Sequence, residues 1–172
     1  GRKIYWGDFS KGDLWTAGLD GSAPRVLIPL ESESPLALIL SADHQRLYWT
    51  VLGVNSVFYA RVDGSGRGLV RMADSVEPFG LVVDETRGFF YYIKLRGKLI
   101  RRVKLDGSEL TDLVTSGLHK PTTLKLDPEG GRLYWIDTGS GRIRSCAVTG
   151  GEERDVVTAG LSFPYGLALD LA

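Results

Sequence analysis

The stretch Gly130–Ser145, GGRLYWIDTGSGRIRS, sets a Tyr-Trp pair and an aspartate between two glycine clusters. Its reading decides the fold because it recurs. Tyr5, Tyr48, Tyr91 and Tyr134 stand 43 residues apart, as do Pro35, Pro78, Pro121 and Pro164, and Gly21, Gly64, Gly107 and Gly150. Between them LDGS, VDGS, LDGS and VTGG keep the same spacing. Self-similarity at a fixed period of this size marks a repeat architecture. Four such units fill all 172 residues, so residues 1–172 read as one array without linker or internal domain boundary.

Each unit reads as strands separated by turns. In the third interval TTLKLD (122–127) alternates, and GRLYWID follows across Pro128-Glu129-Gly130. GRIRSCAV comes after the glycine turn, then TGG and RDVVTAG. Short β-rich runs bounded by Gly, Pro and Asp predict an all-β protein. The Asp-Gly pairs suit tight hairpins, because glycine accepts the positive φ those turns demand. No apolar period of 3.6 runs long enough for a helix. Four strands in a repeat of this length match a propeller blade. The chain is read as starting on the second strand of a blade, KIYW, and ending on a first strand, YGLALD.

Bulk composition narrows the function classes. Lys plus Arg equals Asp plus Glu at 21 each. That balance argues against nucleic acid or an anionic membrane as principal partner, since both call for a basic excess. No apolar run approaches the ~20 residues that span a bilayer. The N-terminus reads as a strand rather than a signal peptide. The single cysteine, Cys146, excludes an internal disulfide and cannot alone make a zinc site; a buried, inert thiol is the expectation. GxSxG, HExxH and phosphate-loop motifs are absent, and His44 and His119 fall in non-equivalent turns. No catalytic residue, metal site or cofactor is therefore expected.

Around the tyrosines stand IYWGD (Ile4–Asp8), LYWTV (Leu47–Val51), FYYIK (Phe90–Lys94) and LYWID (Leu133–Asp137), with PLAL, PFGLVVD, PTTLKLD and PYGLALD. These motifs resemble the YWTD, or low-density-lipoprotein-receptor class B, repeats of lipoprotein-receptor relatives and nidogen, over the whole chain. The resemblance implies a β-propeller with the YWTD strand second in each blade, and an extracellular, protein-binding, non-enzymatic role. Two departures stand out. The motif's aspartate is kept as Asp8 and Asp137 but replaced by Val51 and Lys94. The family's ring is six-bladed, which would need about half as many residues again. Chains could close alone, share rings or join head to tail, because each large apolar side chain left uncovered on an open blade face forfeits ~1.5–3 kcal/mol.

Asp137 could serve as an acid or metal ligand, or accept hydrogen bonds from backbone at a strand end. The Val and Lys at equivalent positions favour the second role. Asp8 shares that role, and Tyr5, Trp6, Tyr48, Trp49, Tyr91, Tyr92, Tyr134 and Trp135 read as packing residues of the blades. Asp20, Asp63 and Asp106 sit where turn carboxylates cap backbone.

A ligand surface would come from loops that do not repeat. The loops before first strands and those joining second to third strands share one rim. It carries acid at Glu31, Glu33, Asp74 and Glu77, base at Lys94, Arg96, Lys98 and Lys120 beside His119, and aromatic side chains at Phe9, Phe79, Phe163 and Tyr165. The charges equally read as solvated loops, and Phe163 and Tyr165 as packing beneath the rim. In the family the resemblance implies, ligands bind this rim. The basic run KLRGKLIRRVK (94–104) reads first as a solvated strand face, and second as a contact for an acidic partner or sulfated glycan.

Three functions follow in order: an extracellular protein-binding module, a structural subunit that assembles with other copies of itself, and a calcium-dependent lactonase-like hydrolase. The last would hold its ion with Glu, Asn and Asp, and Asn55 is the only asparagine.

Overall fold

The computed structural model describes residues 2–31, 33–72, 78–94 and 96–171. Those residues form four antiparallel sheets built in chain order. The first holds β1 (Lys3–Asp8), β2 (Asp13–Gly18) and β3 (Arg25–Pro29); the second β4 (Pro35–Leu40), β5 (Arg46–Val51), β6 (Ser56–Arg61) and β7 (Gly68–Arg71). The third holds β8 (Pro78–Asp84), β9 (Phe89–Lys94), β10 (Leu99–Lys104) and β11 (Thr111–Val114). The fourth holds β12 (Pro121–Asp127), β13 (Arg132–Asp137), β14 (Arg142–Ala147) and β15 (Arg154–Val157). In each sheet consecutive strands are neighbours, the meander of a propeller blade.

Equivalent residues take equivalent places. The four tyrosines each stand third in β1, β5, β9 and β13. The ladder between first and second strands slips at the same point in three sheets, between Pro35 and Leu38, Pro78 and Leu81, and Pro121 and Leu124. The hairpin glycines Gly21, Gly64, Gly107 and Gly150 have φ of 79°, 91°, 87° and 92°. At Gly64 a Cβ would also lie 2.9 Å from the Leu27 carbonyl oxygen, so two separate constraints keep it glycine.

One sequence expectation is corrected. PYGLALD was read as a first strand, but residues 164–170 form none. Strand geometry is held by ladder bonds to a neighbour, and the ladders of the fourth sheet run only through β12 to β15. The first sheet has three strands, with β1 at its edge.

Two compact units divide the chain, residues 1–77 with the first two sheets and 78–172 with the other two. Each has its own core. In the first unit Leu14, Leu27 and Ile28 meet Leu47, Trp49 and Ala60, with Tyr5 against them. In the second Tyr91, Ile93 and Ile100 meet Leu124, Leu133, Trp135 and Cys146. Phe79 packs half-buried against this second core, so it is a structural residue of β8 rather than an exposed rim aromatic.

Trp135 is fully buried at the centre of its core. Replacing it by alanine is expected to cost ~3–5 kcal/mol. A urea titration followed by circular dichroism measures this, with the midpoint falling sharply relative to wild type.

Candidate binding surface

The two aspartates kept from the motif do different work. Asp8 accepts from the backbone N–H groups of Ser10 and Lys11 at 3.1 and 3.0 Å, closing its own turn. Asp137 reaches a different loop: its carboxylate accepts from the N–H groups of His119 and Lys120, both at 2.8 Å. Its side chain is fully buried, and His119 Nδ1 lies 3.6 Å away. Burial alone would raise its pKa; the N–H donors of His119, Lys120 and Ser140 and the nearby imidazole outweigh that and hold it below the ordinary carboxylate range. The turn aspartates Asp20, Asp63 and Asp106 accept from Ser22, Ser65 and Ser108 N–H groups at 3.0, 2.8 and 2.8 Å.

Pinning the 119–120 backbone directs two cationic-capable side chains outward. Lys120 extends its Nζ over the Phe163 ring, 5.4 Å from the centroid. Phe163 and Tyr165 are 68% and 63% exposed rather than packed under the rim. Their segment is tied down from behind. Thr138 Oγ1 donates to the Pro164 carbonyl at 2.9 Å, Thr123 Oγ1 donates to the Tyr165 carbonyl, and Thr122 and Thr138 share a buried hydroxyl contact of 3.1 Å. Phe163 itself has φ of 54°, an uncommon conformation for a bulky residue. The result is an exposed aromatic and cationic surface on a fixed backbone, formed by His119, Lys120, Phe163 and Tyr165. The threonines carried no sequence signal, since hydroxyls on strands have many uses.

In the same unit Lys94 ends β9 half-buried, and Arg96 and Lys98 are exposed on the following hairpin. In the first unit Phe9 is exposed, its carbonyl accepting from Ser34 Oγ at 3.2 Å, and Glu31 and Glu33 are exposed. Asp74 and Glu77 lie outside the described residues. Among the described residues no group of three His, Cys, Asp or Glu side chains could hold a metal ion, and no helix is long and apolar enough to cross a membrane.

No family model matches the chain, and no curated protein matches it. Solved structures do. The chain is similar to the nidogen propeller in the nidogen/laminin complex, at 25% identity and a TM-score of 0.80, over 95% of this chain and 62% of that one. It is similar to virginiamycin B lyase from Staphylococcus aureus at 16% identity and a TM-score of 0.70, over 89% of this chain and 51% of that one. A putative TolB from Agrobacterium tumefaciens matches at 15% identity and a TM-score of 0.73, over 91% of this chain and 61% of that one. The fold is thus that of a β-propeller. The likeness to nidogen agrees with the YWTD resemblance of the motifs, and the chain spans 62% of that structure's length.

Two measurements check this chemistry. A carboxylate whose folded pKa is depressed stabilises the fold above its unfolded pKa, and that contribution is lost as pH falls through the folded value. Asp137→Asn should therefore lose stability near neutral pH and show a flatter decline on acidification than wild type, read from urea midpoints across pH; each N–H left unpaired costs ~1–3 kcal/mol. Cys146 is buried and its thiol is pushed up to about 11, first by desolvation and then by the Glu153 charge. Mass spectrometry after iodoacetamide treatment at neutral pH should find it unmodified in the native protein and modified in denaturant.

Proposed function

We propose that the chain is a protein-binding propeller segment whose four sheets are blades of four 43-residue YWTD-type repeats, acting outside the cell without catalysis. The observation that carries this reading is the exposed surface of His119, Lys120, Phe163 and Tyr165, fixed from behind by Asp137 and Thr138. Binding hot spots favour aromatic side chains held rigid before the partner arrives, because less side-chain freedom is then lost on association. Lys120 beside Phe163 suits a partner that presents an acidic group next to an apolar one.

The nidogen likeness supports a protein partner, since that structure is a complex of two proteins. The lyase likeness, at 16% identity, carries the fold alone.

The test is capture from a fraction of secreted proteins, comparing wild type with Phe163→Ser and Lys120→Glu. Truncating one anchoring aromatic costs ~2 kcal/mol. A partner held by wild type should be lost or weakened more than tenfold with Phe163→Ser. Equal retention by both variants overturns the reading.

A further inference from the structure

A row of side chains crosses each sheet at right angles to its strands. In the third sheet the row runs Leu81, Tyr92, Arg101, Asp112, and in the fourth Leu124, Trp135, Arg144, Asp155. Both rows end on the outer strand in an Arg–Asp ion pair. In the second sheet the row runs Leu38, Trp49, Phe58, Leu69. It is apolar to its end, and Leu69 is 44% exposed at the outer edge.

The outer strands differ in a second respect. The ladder between third and outer strands slips at Leu14/Trp15, Ile100/Arg101 and Ile143/Arg144. β6 and β7 instead pair without a break from Tyr59 and Gly68 to Ser56 and Arg71. The cause is in the sequence. Past each slip stands an apolar residue, Ile28, Val114 or Val157, opposite Leu14, Ile100 or Ile143. The residue 43 positions after Ile28 and 43 before Val114 is Arg71. Burying an unpaired guanidinium is costly, so the slip is absent and Arg71 stays exposed. The first sheet's row also ends apolar, at Val26, but beside its slip. Bulges twist an edge away from further pairing, and β7 lacks that protection.

The edge is open to backbone and side chain alike. The Met72 N–H donates to the Asn55 carbonyl at 2.9 Å, which fixes the alternation along β7. Val70 and Gly68 bond to β6, and the N–H and C=O groups of Leu69 and Arg71 face away from it. Arg67, Leu69 and Arg71 lie on one face of the strand, all three exposed. Among the described residues neither guanidinium makes an ion pair, whereas Arg101, Arg132, Arg142 and Arg144 of the second unit all hold carboxylates.

We propose that the outer edge of β7 binds an extended segment of a partner protein as a fifth, antiparallel strand, one that sets a carboxylate, an apolar residue and a second carboxylate at alternate positions. The mode is β-augmentation, in which backbone ladder bonds supply affinity and alternate side chains supply specificity. The apolar residue continues the row of Trp49, Phe58 and Leu69, and the carboxylates meet Arg67 and Arg71. A second copy fits this edge poorly. Two antiparallel β7 strands centred on Leu69 set Arg67 against Arg71, and like charges directly opposite are destabilising. The site lies within the first unit and is independent of the surface around Lys120 and Phe163.

Fluorescence anisotropy of a labelled peptide, Thr-Glu-Thr-Val-Thr-Glu-Thr, titrated with the full chain tests this. It should bind at least about tenfold tighter than the peptide with lysine in place of both glutamates. Arg67→Glu combined with Arg71→Glu should reverse that preference. N-methylation of the peptide's valine removes a ladder donor and should abolish binding; N-methylation of the threonine beside it, whose N–H faces away, should not. Equal or absent binding of the two peptides, no reversal in the double variant, or equal effects of the two N-methylations each overturns the proposal. So does a light-scattering mass above the 18.8 kDa of one chain that Leu69→Asp returns to one chain, which puts a second copy on the edge. Phe163→Ser should leave peptide binding unchanged, which separates a failure here from a failure of ligand capture.

Discussion

No sheet in this chain can bury its own large side chains; each depends on the sheet beside it. Adjacent residues on a strand point to opposite faces, so a Tyr-Trp dipeptide sends one ring to each side. In the first unit Tyr5 of one sheet and Trp49 of the next enter the same core. In the second unit Tyr91 and Trp135 do the same. The interface is a tyrosine from one repeat against a tryptophan from the following one, and stability in such arrays comes largely from neighbour interfaces. This is why the dipeptide recurs with so little variation.

Positions opposite the tryptophan are freer, because a flat indole accepts several kinds of cover. Trp6 stacks on Trp15 at 6.1 Å and Trp49 on Phe58 at 5.8 Å. At the equivalent place in the fourth sheet the Arg144 guanidinium lies 5.4 Å from the Trp135 ring. Aromatic and cation–π partners are worth comparable amounts. Arg144 also holds Asp155 and Glu153 at 2.9 and 3.1 Å, so the same side chain ties the third strand to the outer edge of its sheet. A change from Phe58 to Arg144 therefore alters the sheet's surface while preserving its core.

How much of this was legible varies with the kind of interaction. The strands could be read because their signals are local: alternation, Asp-Gly turns and a fixed period. Tyr91 and Trp135 could be named as packing residues because bulky aromatics on a β pattern have few other uses. Phe79 misled because an aromatic beside a loop looks like a rim residue until the strand begins at Pro78. Phe163 and Tyr165 could not be placed, since their exposure depends on Thr123 and Thr138 holding two carbonyls more than 25 residues away in sequence. Residues 164–170 follow the pattern of a strand but form none in the structure.

The variable aspartate shows how the repeat can change without losing its fold. The loop after the second strand must be tied to the residue before the first-strand proline. In the second sheet the Leu52 N–H donates to the Ser34 carbonyl at 2.9 Å, and in the fourth the Thr138 N–H donates to the Lys120 carbonyl at 3.0 Å. That backbone bond is present whether the motif ends in Val51 or Asp137. The carboxylate is thus not what joins the two loops. Where it is absent, a buried Val51 contributes apolar packing. Where it is present, two further N–H groups are bound and the loop carrying His119 and Lys120 is held rigid. The same backbone contact holds the second and fourth sheets, and the Asp137 carboxylate pins the loop that carries His119 and Lys120.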